Sequence, residues 1–195
     1  MKIGLVVALE QEFELNRKNQ NFPICYTGIG KINATSATLD FITKQKIDFV
    51  VNLGTCGAVN RTNIGIHEIT SAIEADFLSM PLEERGKVPF DSCPSILSNE
   101  RIGLRCATSD RFVTEIDPWF IEKGVNVVDM ELFAIAKICW KLKLPWRSFK
   151  FVTDFVNSDS PSDWSSNCKI ANVAFNQLIE QDEIFKNCIE EKYEL

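Results

Sequence analysis

At 195 residues, with 45% hydrophobic and 25% charged side chains, the chain has the size and composition of one folded unit around a single core. A net charge of −6 and the lack of any block of Lys or Arg exclude a nucleic-acid backbone as a natural partner. No run approaches the roughly 18 apolar residues that cross a bilayer, so no spanning segment is predicted and no membrane partner is expected.

The first residues carry an apolar run, but Glu10, Glu12 and Glu14 follow at once with no small-x-small cleavage site. That pattern predicts a buried first strand over 2–9 rather than a signal peptide. Residues 31–45 have Ile32, Ser36, Leu39 and Ile42 near helical spacing. Residues 48–53 form a strand too apolar on both faces for a sheet edge, as expected where helices cover both sides. The glycine turn Asn52-Leu53-Gly54-Thr55-Cys56-Gly57 follows it. Residues 77–98, broken by Pro81, Gly86, Pro89 and Pro94, read as a surface loop beside the site. Further strands are expected over 101–108 and 125–128, and an amphipathic helix over 131–144, ended by Pro145. A strand over 148–153 and a long closing helix over 164–191 complete the chain. This alternation predicts an α/β fold, a twisted mixed sheet flanked by helices, in one domain over 1–195.

The seven cysteines are odd in number, scattered and free of any C-x-x-C pair. They fit a reducing, cytoplasmic setting better than a disulfide scaffold. His67 is the one histidine and has no neighbour of the kind a zinc site needs, so no metal is expected.

Carboxylates stand where apolar strands end: Asp154 after the 148–153 strand, and Asp129 and Glu131 in Val128-Asp129-Met130-Glu131 at a strand-to-helix turn. In an open α/β sheet the ligand crevice lies at the C-terminal ends of the strands. Each residue has a plainer alternative. Asp154 suits a turn or cap, Glu131 an acidic first helical turn, and Glu12 a solvated charge beside Glu10 and Glu14. The glycines serve either a tight turn or close backbone approach to a ligand.

Taken together and in order, these motifs resemble the nucleoside phosphorylase and nucleosidase superfamily. Asn52-Leu53-Gly54-Thr55-Cys56-Gly57 resembles its ribose-side loop, Asp129-Met130-Glu131 its D-M-E or E-M-E motif, and Thr153-Asp154 its [ST]-D strand end. Ser109-Asp110-Arg111-Phe112-Val113 resembles S-G-D-x-F-[IV], and Gly28-Ile29-Gly30-Lys31 the G-I-G-K at a helix start. The resemblance implies a three-layer nucleoside phosphorylase-like sandwich that binds a purine nucleoside without cofactor or metal, and a homodimer. It implies that Asp154 protonates N7 of the base and Glu12 activates water. Glu131 with Met130 would hold the ribose, Phe112 and Val113 the base, and Thr55 would lie near sugar and water.

Within the superfamily, the nucleosidase branch acting on 5′-methylthioadenosine and S-adenosylhomocysteine is the most similar. Phosphorylases carry an Arg for phosphate where this chain has Asn52, and their Pro-Gly-Asp-Pro signature is replaced by Ala8-Leu9-Glu10-Gln11-Glu12. The chain departs from the family in four places. The stretch from Leu15 to Thr27 is short, the 77–98 region matches no family pattern, Thr55 replaces Ser and Ala58 replaces Gly. Three alternatives remain: a futalosine hydrolase-like nucleosidase, a purine nucleoside phosphorylase, and a non-catalytic nucleoside-binding member.

Overall fold

In the computed structural model, residues 1–16, 21–60, 62–156 and 160–190 are described, without the side chains of 160–166 and 187–190. Their strands are β1 (Ile3–Val7), β2 (Ile24–Tyr26), β3 (Phe49–Ala58), β4 (Gly65–Glu74), β5 (Ile96–Ser98), β6 (Leu104–Thr108), β7 (Val127–Asp129) and β8 (Trp146–Phe155). The helices are α1 (Lys31–Gln45), α2 (Pro118–Glu122), α3 (Leu132–Leu142), α4 (Ser160–Gln181) and α5 (Glu183–Glu190). The strands form one mixed sheet in the order β2-β1-β3-β7-β6-β4-β5. Because β8 pairs with both β3 and β4, strands β3, β7, β6, β4 and β8 close into a ring.

β3 is the axis of this arrangement. It runs parallel to β1 and β8, with Val50 opposite Gly4 on one side and Trp146 on the other. Successive side chains of a strand point to opposite faces, so both faces of a covered strand must be apolar. Val50, Cys56, Trp146 and Val152 pack with Ala34 and Ile42 of α1 and Leu132, Ile135 and Cys139 of α3. Val51, Leu53, Phe149 and Phe151 pack against Ala171, Phe175 and Ile179 of α4 and Phe185 of α5. The expected sheet between helix layers is therefore present. Among the described residues no helix is long and apolar enough to cross a membrane.

The expected glycine turn is instead part of β3, which continues through Gly54 and Gly57 to Ala58. Pairing with β8 along this stretch outweighs glycine's poor strand propensity. The glycines serve clearance. A Cβ at Gly54 would stand 3.1 Å from Lys150 Nζ, and one at Gly57 would stand 3.1 Å from Asp154 Oδ2.

The long closing helix is broken at Asp182. Its carboxylate accepts the Ile184 amide at 3.0 Å, starting α5, and holds Arg147 Nη1 at 2.9 Å. Its expected last residue, Glu191, lies outside the described residues. The 77–98 loop ends in β5, a three-residue strand on the edge of β4.

One ion pair is buried inside the sheet. Lys150, 1% exposed, reaches from β8 to Asp129 Oδ2 at the end of β7, at 2.8 Å. Removing one partner of such a pair strands the other without compensation. Lys150→Met should therefore lower unfolding free energy in urea by about 3–5 kcal/mol. The double variant Lys150→Met/Asp129→Asn should lose less than the two single losses added together. A cost for Lys150→Met below about 1 kcal/mol would show that the pair does not hold this part of the sheet.

Candidate active site

The C-terminal ends of β1, β3, β7 and β8 open onto one cavity. Glu12, Thr55, Phe112, Val113, Met130, Glu131 and Asp154 all line it, so the seven residues singled out from sequence meet in one place.

Glu12 follows β1 in a tight turn whose amide bonds back to Leu9. It is 5% exposed, whereas Glu10 and Glu14 face solvent, which settles Glu12 against the solvated-charge reading. Its Oε1 accepts the Thr55 amide at 3.0 Å and the Thr55 hydroxyl, and its Oε2 accepts the Leu9 amide at 3.2 Å. The next residue, Phe13, packs edge-on against Phe175 of α4 at 5.8 Å. The helix layer beneath thus anchors the turn that carries Glu12.

Asp129 and Glu131 divide the labour at the start of α3. Asp129 Oδ2 accepts the Leu132 amide at 2.9 Å, and Oδ1 accepts the Thr108 hydroxyl at 2.6 Å. Thr108 Oγ1 in turn accepts the Phe133 amide at 2.9 Å. These bonds satisfy the first amides of α3, so the capping work falls to Asp129 and Thr108. Glu131 stands at the N-cap position but makes no side-chain cap. Its Oε1 instead accepts the Gly30 amide from the start of α1 at 3.0 Å.

The electrostatics follow from one ammonium among several acids. Burial alone would push Asp129 up, but Lys150, with the Thr108 hydroxyl and the Leu132 amide, holds it below the usual carboxylate range. Burial would pull Lys150 down, yet Asp129 and Glu131 hold it above its ordinary value. Glu131 lacks such compensation. Burial and then the Asp129 charge push its carboxyl up to about 7, against the pull of Lys150 and the Gly30 amide. Burial likewise lifts the Cys56 thiol, so this cavity side chain stays neutral.

Asp154 ends β8, 5% exposed and opposite Gly57. Its Oδ1 accepts the Thr153 hydroxyl at 2.6 Å, while Oδ2 lies over Gly57, where a Cβ would crowd it at 3.1 Å. Phe112 sits at the rim, 46% exposed, and Val113 packs partly into the core beside Phe120 and Val128. Asn52 is turned away from the cavity. Its Nδ2 donates to the Val6 carbonyl at 3.0 Å and its Oδ1 accepts from Ser148 at 2.8 Å, so it serves the core.

Sequence reasoning missed Lys150, Thr108, and the Lys31–Glu74–Asp76 group behind the Phe112 segment. Lys150 had a visible signal: a charge in the middle of the apolar stretch Phe149-Lys150-Phe151-Val152. A larger open groove, about 1730 Å³, lies at the C-terminal end of α3. Two of its charges are paired, Lys137 with Asp91 and Arg147 with Asp182, and none of the strand-end acids lines it.

No model of a known protein family matches the chain. The 5′-methylthioadenosine/S-adenosylhomocysteine nucleosidase of Staphylococcus aureus (strain MRSA252) is 26% identical over 187 residues, covering 84% of this chain and 81% of the relative. Among solved structures, a nucleosidase of the same name from Colwellia psychrerythraea 34H, in complex with adenine, superposes with a TM-score of 0.79. Its identity is 22%, over 92% of this chain and 93% of that one. Futalosine hydrolase of Helicobacter pylori strain 26695 superposes with a TM-score of 0.76 at 18% identity, over 89% of this chain and 94% of that one. With the motifs in order on this fold, the chain is similar in sequence and in fold to the 5′-methylthioadenosine/S-adenosylhomocysteine nucleosidases.

Proposed function

We propose that this chain hydrolyses the N-glycosidic bond of a purine nucleoside, an adenosine altered at the 5′ carbon, and releases the free base. The observation that carries the reading is the convergence of three buried carboxylates, Glu12, Glu131 and Asp154, on a cavity walled by Ile29, Phe112 and Met130. Asp154 gives a proton to N7, and the C1′–N9 bond breaks with its electrons passing to the base. Positive charge develops on the ribose, which nearby carboxylates stabilise in a water-poor cavity. Water then attacks C1′ and loses its proton to Glu12, which Thr55 and the Leu9 amide hold in one orientation. The Glu131 carboxylate accepts from the ribose hydroxyls with Met130 against the sugar, while Phe112 and Val113 hold the base.

Phosphate is a poor nucleophile for this cavity. Glu12 would repel it, and Asn52 offers neither charge nor a free side chain. Arg111, which lines the cavity, favours a second reading of the substrate: a 5′ substituent that carries a carboxylate. We read the assembly as a homodimer, on the strength of the exposed apolar side chains Ile29 and Phe112 at the cavity and Leu78 and Met80 nearby in sequence to the β4 acids. A reducing, cytoplasmic setting suits the six described cysteines, all free thiols.

Adenine should be released from methylthioadenosine, S-adenosylhomocysteine or adenosine at the same rate with and without phosphate. Asp154→Asn should lower that rate by at least about 100-fold. Release only with phosphate would make the protein a phosphorylase, and adenine binding without turnover would make it a binding protein.

Glu131 generates a separate prediction. Its folded value is near 7 against an ordinary 4.5, so between these pH values the folded chain binds a proton that the unfolded chain does not. Stability from this group is present below pH 4.5 and is lost as pH rises through 7. Glu131→Gln should therefore match the parent near pH 5 and exceed it at pH 8 by on the order of 2 kcal/mol in urea unfolding. The parent's kcat/KM should fall on the acid side with a midpoint near 7, as the ribose-binding carboxylate takes its proton. A variant no more stable than the parent at pH 8 would contradict this protonation state.

A further inference from the structure

We infer that Lys31 is a positioning residue, holding the base-gripping segment 109–113 and the ribose carboxylate Glu131 in register through the first turn of α1. The inference rests on the nucleosidase reading for its kinetic consequence, but its geometry stands apart from it. Neither Lys31 nor its three acidic partners lines the cavity, so all four act through other residues.

The Lys31 ammonium bonds Glu74 Oε1 at 2.6 Å and Asp76 Oδ1, and lies 3.7 Å from Asp110 Oδ2. Three segments meet at that one charge: the end of β4, the start of α1, and the loop after β6. Backbone bonds complete the joint. The Lys31 amide donates to Asp110 Oδ1 at 2.8 Å. Asp76 Oδ2 accepts the Asp110 amide at 2.7 Å and the Ser109 hydroxyl at 3.0 Å, which fixes the chain just before Phe112 and Val113. On the other side of Lys31, the Gly30 amide donates to Glu131 Oε1.

Gly30 makes this close approach possible. Its φ is +92°, and a Cβ there would lie 3.1 Å from Asp110 Oδ1. The order of the chain thus places the donor to Glu131 and the clamp on the base segment on adjacent residues, 30 and 31.

Charge explains why an ammonium is needed. Three carboxylates share one cation at this joint, and Lys31 is only 18% exposed in its side chain. Burial would raise Asp76, but Lys31 and the neighbouring donors bring it down to about 2, so it stays ionised. Burial leaves Glu74 above its ordinary value. Without Lys31, the like charges would repel across the joint and separate β4 from α1 and from the base segment.

The test compares Lys31→Met and Lys31→Arg with the parent. Lys31→Met should raise KM for the nucleoside by about tenfold or more. It should also move the acid midpoint of kcat/KM upward by about half a pH unit, because Glu131 loses its Gly30 donor. The other charges facing Glu131 are Asp129 at the end of β7, Lys150 on β8 and Glu12 after β1, and none is altered by this change. Lys31→Arg, which keeps the charge, should restore both values. Unchanged KM and midpoint in Lys31→Met would overturn the inference.

If the parent turns over no nucleoside, hydrogen exchange decides the matter without activity. Amides of residues 30–32 and 109–113 should exchange faster in Lys31→Met while those of β1 and α4 stay as in the parent. Equal exchange everywhere would overturn the inference. Should Lys31→Met fail to fold, Gly30→Ala breaks the same joint from the other side and should give the same rise in KM and in the midpoint.

Discussion

The buried ammonium of Lys150 makes the crowded acidic centre of this molecule possible. Glu12, Asp129, Glu131 and Asp154 converge at the strand ends, and Lys150 is the cation set among them. Gly54 makes room for its Nζ, and Asp129 takes the direct bond. Because Asp129 is compensated, it can remain ionised in the interior and cap α3 together with Thr108. Glu131, two residues further and without its own cation, is left with a raised pKa and a carboxylate facing the cavity. The asymmetry between two acids two residues apart comes from which of them the ammonium touches.

The same economy of position runs through the rest of the site. β3 and β8 lie side by side, so Thr55 and Asp154 project from neighbouring strands at the same end of the sheet. Glu12 reaches them from the turn after β1, tied to Thr55 and backed by the Phe13–Phe175 contact with α4. The rigid members are strand ends, while the base segment 109–113 is a loop and has to be held by side chains. That difference explains the dense ion cluster behind the loop. In the proposed reaction, fixed carboxylates around a sugar that becomes positive would contribute through preorganised electrostatics rather than through movement.

Much of this was legible in the sequence where the signal was local. The two-sided apolar run before Gly54 identified the covered central strand, and carboxylates directly after apolar strands identified the cavity. What escaped depended on partners far away in the chain. β4, Gly65–Glu74, carries polar residues that obscure strand alternation, yet Glu68 is matched by Arg147 and Arg101, and Glu74 by Lys31. The glycines of β3 suggested a turn because their reason, clearance for Lys150 and Asp154, lies about a hundred residues away. Glu12 and Glu10 could not be separated by composition, since only the turn and the Thr55 bonds bury one and leave the other in solvent. Asp182 gave no warning of a helix break, because Arg147 and the cap of α5 are both needed to make it one.

The central claim is that water, activated beside Glu12, is the group transferred to the sugar. Turnover of methylthioadenosine in ¹⁸O-labelled water with phosphate present, followed by mass spectrometry of both products, tests it most directly. One labelled oxygen in the released pentose, with unlabelled adenine and no sugar phosphate, is the predicted result. A pentose 1-phosphate, or a pentose without label, would contradict it.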